Sequence, residues 1–278
     1  MAVEIETTGE RIVESSYLTS AGGYLIYLMH MAAYRLAEPF CRGKRVIELG
    51  CGTGYGASHI AELAHEVHAV DVASDAIDYA RHHYAEPNLA FELVKEGQPL
   101  PFPDQSFDVA LSFQVLEHVR DDTAYLAEAK RLLRSGGTLL LVTPDRRHRL
   151  LAGQRPWNRW HVREYGMEDL VARVQEHFHV SAQLYMGLKP PAAELEFQRY
   201  RLIKWLSLPW TFPGVPERWR RWGLSMLHAL RRRRRAEHTV YQPNFGPEVI
   251  EIGEQVAYPV NLIINATRPA DAANQSRG

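Results

Sequence analysis

Val46-Ile-Glu-Leu-Gly-Cys-Gly-Thr-Gly-Tyr-Gly56 decides how the rest of the chain is read. An apolar run from Arg45 to Leu49 stops in glycines at 50, 52, 54 and 56, and an amphipathic stretch follows. A strand buried in a parallel sheet reads as a continuous apolar run. Glycines at its end let the backbone turn tightly and come close to a ligand. A helix opening near Tyr55 adds unpaired N–H groups and a positive dipole end. The stretch therefore predicts a strand–turn–helix that binds a nucleotide-type ligand.

Outward from this turn, strands and helices alternate. Strands are predicted at Glu66–Val72, Leu89–Val94, Phe107–Phe113 and Thr138–Thr143, and helices at Ala57–Ala64, from Ser74 as N-cap to Tyr84, and at Asp121–Leu133. After Pro144 come a basic loop, Arg146-Arg-His-Arg149, a helix at Met167–Glu176, a sixth strand at Phe178–Met186 and a seventh at Tyr258–Thr267. Such alternation implies an α/β fold: a doubly wound, seven-stranded, mostly parallel sheet with ligands at the carboxyl ends of its strands. Before it, Tyr24 to Phe40 has helical apolar spacing and is predicted to cap the domain, ended by Pro39 and Gly43. The expected organisation is an arm and capping helix at 1–44, a core at 45–187, an insert at 188–256, and the last strand with its tail at 257–278.

Composition narrows the class. The 278 residues, 46% hydrophobic and 23% charged, match a globular protein with one substantial core. Cys41 and Cys51 are the only cysteines, too few for a disulfide framework or a four-cysteine zinc site, so a reducing, cytoplasmic setting is expected. Glu4, Glu6 and Glu10 are the opposite of a secretory signal's basic start. Tyr24 to Leu36, broken by His30 and Arg35, is too short and polar to span a bilayer.

The residues around the turn constrain the ligand. The dinucleotide fingerprint wants G-x-G-x-x-G, whereas here Gly50, Gly52, Gly54 and Gly56 alternate and Glu48 precedes them. A carboxylate so close would repel a pyrophosphate and suit a cationic or amine-bearing ligand. No G-x-x-x-x-G-K-[ST] pattern grips phosphate at this turn. Asp71 ends the second strand, where a carboxylate can accept both hydroxyls of a ribose; the same residue could instead cap the next helix. The set suggests a nucleoside carrying a positive group in place of phosphates.

At this point the chain resembles the class I S-adenosylmethionine-dependent methyltransferases of the broad type-11 group, continuously over about 44 to 187. Four ordered blocks carry the resemblance: Glu48-Leu-Gly50-Cys-Gly52-Thr-Gly54 with Asp71, then Leu100-Pro-Phe102 with Ser106-Phe107-Asp108, then Val115-Leu-Glu117-His118-Val119, and Leu133-Arg-Ser-Gly136-Gly137. It implies S-adenosylmethionine as cofactor. Gly50 and Gly52 would let the backbone pass close to its methionine part with Glu48 behind them, Asp71 would hold the ribose, Phe113 and Gln114 would hold the amino-acid end, and Gly54 and Val72 are further cofactor-binding candidates. Glu96 stands where the family usually has an Asp that touches the adenine amino group, and Gly97 would offer its N–H to the ring. His118 opens a helix and reads equally as structural or functional.

Methyl transfer from a sulfonium needs alignment first, and a general base when the acceptor is a hydroxyl. Trp160-His161-Val-Arg163-Glu164-Tyr165 follows the fifth strand, and many members of the family it resembles, including ones that act on sugars and surface glycans, have a similar His-x-Arg-Glu-Tyr stretch there. His161 is therefore the candidate catalytic residue, with Arg163 free to hold an anion or pair with Glu164. The structural alternative is that this stretch caps the next helix. No metal site is expected: His82-His83 and His177-x-His179 have no third ligand near them in sequence.

From Arg199 to Arg235 there are ten arginines and Lys204 against one acid, Glu217, interleaved with four tryptophans. Basic plus aromatic residues suit nucleic acid, an anionic membrane surface or a phosphorylated substrate; the plain alternative is a lid with a solvated charged face. The main expectation is a small-molecule or glycan methyltransferase acting at oxygen, cytoplasmic and with room for membrane-peripheral attachment through the insert. A nucleic-acid methyltransferase and a non-catalytic cofactor-binding protein are the alternatives, and a nicotinamide dehydrogenase is disfavoured by Glu48 and the glycine spacing.

Overall fold

Short apolar runs at β1 (Arg45–Leu49), β2 (Glu66–Asp71), β3 (Leu89–Leu93), β4 (Phe107–Phe113) and β5 (Leu133–Pro144) pair as parallel strands in the order β3-β2-β1-β4-β5. A computed structural model of the chain describes residue 17 and residues 20–234 and 241–270. The sheet is buried on both faces because successive side chains point to opposite sides. Ile47, Ala110, Leu139 and Leu141 enter one core cluster, and Val46, Val109, Leu111 and Leu140 enter the other. The first face is covered by α4 (Asp122–Leu132) and α5 (Met167–Gln175), through Leu126, Ala129, Leu170 and Val174. The second is covered by α1 (Ala21–Cys41), α2 (Tyr55–Ala61) and α3 (Ser74–His83), through Tyr34, Ala37, Ile60 and Ile77.

Beyond β5 the sheet continues as β8 (Pro259–Thr267), β6 (His179–Leu188) and β7 (Ile250–Gly253), each antiparallel to its neighbour. The sheet thus has eight strands, not the seven expected. The additional strand, Ile250-Glu-Ile-Gly253, lies within the span read as insert. Four residues with one alternation carry too little periodicity to announce a strand, and it forms by pairing with the edge of β6.

Local chemistry explains the other departures. Ser20 caps α1 by accepting from the Gly23 N–H at 3.1 Å, and Pro39 sits inside the last turn while Gly43 at φ 68° ends the helix. Ser74 is the first residue of α3, and Ala73 occupies the N-cap position without a side-chain bond. Asp121 does cap α4, through the Ala124 N–H. The insert holds two helices, α6 (Ala192–Thr211) and α7 (Glu217–Arg234). Ala192, Ala193 and Tyr200 of α6 share a third core cluster with Leu25, Leu28 and Met29 of α1 and with Ile263 of β8. The acidic arm at 1–16, the tail from 271 and Arg235 lie outside the described residues, as do the side chains of residues 231–234.

Candidate active site

Parallel order reverses between β1 and β4: the chain passes from β1 to β2 and β3 on one side, then returns to β4 and β5 on the other. Such a switch point leaves a crevice at the carboxyl ends of the strands. The glycine turn fills its floor. Gly50, Gly52 and Gly54 all have positive φ, at 84°, 55° and 87°, and the N–H groups of Gly50 and Cys51 donate to the Val70 carbonyl. A Cβ on Gly52 would meet nothing within 4 Å, so open space lies above it. Gly56 serves a different purpose: its φ is not positive, and a Cβ there would fall 1.7 Å from Cζ of Tyr34. That glycine admits α1 against the turn.

Two carboxylates flank the turn. Asp71 accepts from the Gly52 N–H and the Ala73 N–H, each at 2.9 Å, one on each oxygen. Both oxygens thereby brace the turn, and each keeps a second lone pair for a ligand. Glu48 lies on the same face of β1 as Val46 and is 1% exposed beneath α1. Its Oε1 accepts from the Tyr34 hydroxyl at 2.5 Å, and its Oε2 is buried with no hydrogen-bond partner among the described residues. Burial pushes this carboxyl up to about 7, against the pull of the Tyr34 hydrogen bond and with the Asp71 charge adding to the rise. An orphaned acidic oxygen of this kind suits a cation and repels phosphate.

The structure brings most of the expected cofactor residues to this crevice. Val72 follows Asp71 and is 57% exposed; Leu93, paired with Asp71 across β2–β3, is 50% exposed. Glu96 and Gly97 continue from β3 and are exposed, and a Cβ on Gly97 would also meet open space. On the opposite wall, Phe113 packs edge-on to Tyr34 at 5.1 Å. Gln114 holds φ at 57° and donates its N–H to the Val142 carbonyl. Backbone strain in a residue with a side chain is kept only where the surroundings demand it. Val115 then presses on the turn, its Cγ2 being 2.5 Å from where a Cβ on Gly50 would sit.

His161 is 5% exposed and belongs to a second, charged constellation. Its Nδ1 lies 2.8 Å from Glu164 Oε1, and Arg149 grips both Glu164 oxygens at 2.8 and 3.0 Å. A carboxylate only accepts, so Nδ1 carries a proton, and in the neutral ring the lone pair lies on Nε2. Burial works against the Glu164 charge, but Arg149 and His161 together hold the carboxyl down at about 2. Arg149 itself stacks on Trp157 at 4.3 Å and faces Tyr200 of α6 at 5.1 Å. Arg163, expected to hold an anion or pair with Glu164, instead pairs with Asp122. Arg220 of α7 is buried and donates to the carbonyls of Pro156, Asn158 and His161, so one arginine of the basic insert secures the His161 loop.

Sequence reasoning did not join Glu117 and His118 to His161. The structure sets the His118 and His161 rings edge-to-face at 4.8 Å, with Glu117 fully buried beside them. The available signal was the Glu-His pair ending the β4 block; what hid the cluster is the long chain separation from His161. Two open grooves of about 470 and 420 Å³ lie near, one lined by His148, Phe197, Arg201 and Tyr258, the other by Asp122, Arg163, Glu164 and Tyr165. Neither includes the glycine turn.

A family described as a methyltransferase domain matches residues 47–141. A probable S-adenosylmethionine-dependent methyltransferase of Mycobacterium tuberculosis is 36% identical over 143 residues, covering 51% of each chain. A fatty-acid O-methyltransferase of Mycolicibacterium smegmatis is 36% identical over 119 residues, covering 42% of each. The matched region thus spans about half the length of these curated relatives or less. Among solved structures, the [4+2]-cyclase SpnF superposes with a TM-score of 0.54 at 19% identity, over 87% of this chain and 81% of that one. That likeness concerns the fold.

Proposed function

We propose, from the premise that this chain carries a class I S-adenosylmethionine-dependent methyltransferase domain, that it moves a methyl group to a hydroxyl oxygen of a small-molecule or glycan acceptor. The observation that carries the reading is the pair of carboxylates at an open glycine turn: Glu48 with an orphaned buried oxygen, and Asp71 at the end of β2. The residues fit the cofactor. Gly52 and Gly97 leave space that a Cβ would fill, exposed Val72 and Leu93 offer apolar cover for a purine, and no basic side chain is among the residues that form the turn.

Bound S-adenosylmethionine supplies a methyl group activated by its sulfonium. In this reading Asp71 accepts from the ribose hydroxyls with the lone pairs that Gly52 and Ala73 leave over. Glu48 supplies negative charge behind the turn, and Phe113 and Gln114 hold the amino-acid end. Glu96 and Gly97 meet the adenine edge. His161 presents Nε2 on the acceptor side, oriented by Glu164 and Arg149. The oxygen assignment draws support from relatives named as O-methyltransferases. The test is turnover of methyl-labelled cofactor with hydroxylated acceptors. His161→Ala is expected to lower turnover by about 10²–10⁴-fold while leaving cofactor affinity unchanged. Cofactor binding without transfer to any acceptor would favour a non-catalytic binding protein.

A second observation bears on where the acceptor is met. Leu202, Trp205 and Leu206 on α6 and Trp219, Trp222 and Met226 on α7 recur three and four residues apart and are all exposed. Arg201, Arg218 and Arg221 are exposed among them. An apolar, tryptophan-bearing helix face fringed by arginine suits an anionic membrane surface, with the helices lying in the interface. None of the helices among the described residues is long and apolar enough to cross a membrane. Sedimentation with vesicles should show binding to anionic lipid that falls with salt and is lost in a Trp205→Ser, Trp219→Ser double variant. Equal recovery with neutral vesicles, or none with either, would remove this peripheral-membrane reading.

A further inference from the structure

Glu117, His118 and His161 each present one ligand-type atom, and the three atoms lie within 4.8 Å of one another. We propose that they form a binding site for a divalent transition cation of the zinc class, placed at the carboxyl end of β4 beside the cofactor crevice. Two features support the site. Glu117 is fully buried, and its Oε1 has no hydrogen-bond partner among the described residues, while Oε2 accepts from the Thr143 hydroxyl at 2.9 Å. A buried carboxylate oxygen without a partner is costly unless something positive completes it.

Both imidazoles are, moreover, held in the tautomer a metal requires. His161 gives its Nδ1 proton to Glu164, and His118 Nδ1 lies 3.2 Å from the Trp160 carbonyl, which can only accept. In its neutral form each ring therefore has its lone pair on Nε2. Outer partners of this kind orient metal-binding histidines and raise their basicity. Here the outer layer extends further, since Arg149 clamps Glu164 and Thr143 clamps Glu117.

The donor set selects the ion. Two imidazoles and one carboxylate suit zinc, manganese or iron(II), whereas magnesium and calcium prefer all-oxygen sites. Drawing the three atoms to zinc-like bond lengths of about 2.0–2.2 Å moves each inward by under about 1 Å, within reach of side-chain rotation. Three protein ligands leave a position open, as catalytic sites do. On the methyl-transfer reading, the open position is where an acceptor oxygen would sit, and His161 Nε2 would then act on that oxygen as a ligand of the ion in place of acting as its base. Cation binding itself does not depend on that reading.

The test uses the chelator-treated full chain and cobalt(II) as the optical probe for the zinc class, followed by zinc competition. One equivalent is expected to bind with a visible ligand-field spectrum. Glu117→Gln and His161→Asn should each weaken it at least about tenfold, and the surface variant His83→Ala should leave it unchanged. Should either site variant fail to fold, pulsed EPR of copper(II) in the wild-type chain decides alone, with couplings from two imidazoles expected. Binding no tighter than millimolar, equal binding in Glu117→Gln, or coupling from fewer than two imidazoles would overturn the proposal. S-adenosylmethionine affinity, measured separately without metal, tests the functional reading on its own.

Discussion

Glu48 is a carboxyl that the fold prefers protonated and the proposed ligand prefers charged. Its pKa rises from an ordinary 4.5 to about 7, chiefly because it is buried. The protonated form therefore contributes stability that is complete below about pH 4.5 and is lost as pH climbs through 7. Glu48→Gln keeps an acceptor for Tyr34 and removes the titration. It should stabilise the unliganded chain by about 1–3 kcal/mol at pH 8 and by little at pH 5, while weakening cofactor binding. Thermal unfolding at the two pH values measures the first effect and calorimetric titration the second. No pH-dependent difference in unfolding would mean that Glu48 is not held as described. Asp71 carries a different double load, because its oxygens brace Gly52 and Ala73 as well as facing the crevice. Asparagine is the milder probe there: its single amide oxygen keeps one of the two braces and its NH2 opposes the other N–H, whereas alanine releases both.

At the scale of elements, the parallel half of the sheet was legible because each strand is an apolar run bounded by turn residues. Phe107–Phe113 was read with its true ends. Glycine turns after β1 and the acid ending β2 were legible for the same reason: local spacing alone places them. What was hidden depends on contacts between distant segments. β7 exists by pairing with β6, Gly56 is required by Tyr34 of α1, and Arg163 turned to Asp122 because Arg149 already held Glu164. Arg220 is the clearest case. In sequence it is one of ten arginines in a basic stretch, yet it is buried against three carbonyls of the loop that carries His161. Arg220→Met keeps the aliphatic bulk and removes those donors. Turnover should fall at least tenfold with cofactor affinity unchanged, whereas Arg218→Met on the exposed face should leave turnover alone. Equal behaviour of the two variants would detach the insert from the His161 loop.

Across the whole molecule, a sheet whose central strands are buried carries the crevice at the carboxyl ends of its parallel strands, and the α6–α7 insert packs on the loop that holds His161. Arg149, Trp157 and Tyr200 tie insert and core together, as does the Gln154 amide donating to Thr211 at 2.8 Å. Loop, insert and strand ends therefore present one continuous surface on which a cofactor and an acceptor could meet. Under the proposed function this surface takes a sulfonium nucleoside and not a dinucleotide. Calorimetric titration of the full chain with S-adenosylmethionine and with NAD, repeated on Asp71→Asn, tests it most directly. Saturable binding of S-adenosylmethionine alone is expected, weakened in the variant by about 1.5–3 kcal/mol, or roughly tenfold to more than a hundredfold. Binding of NAD in its place, or S-adenosylmethionine affinity indifferent to Asp71→Asn, would contradict it.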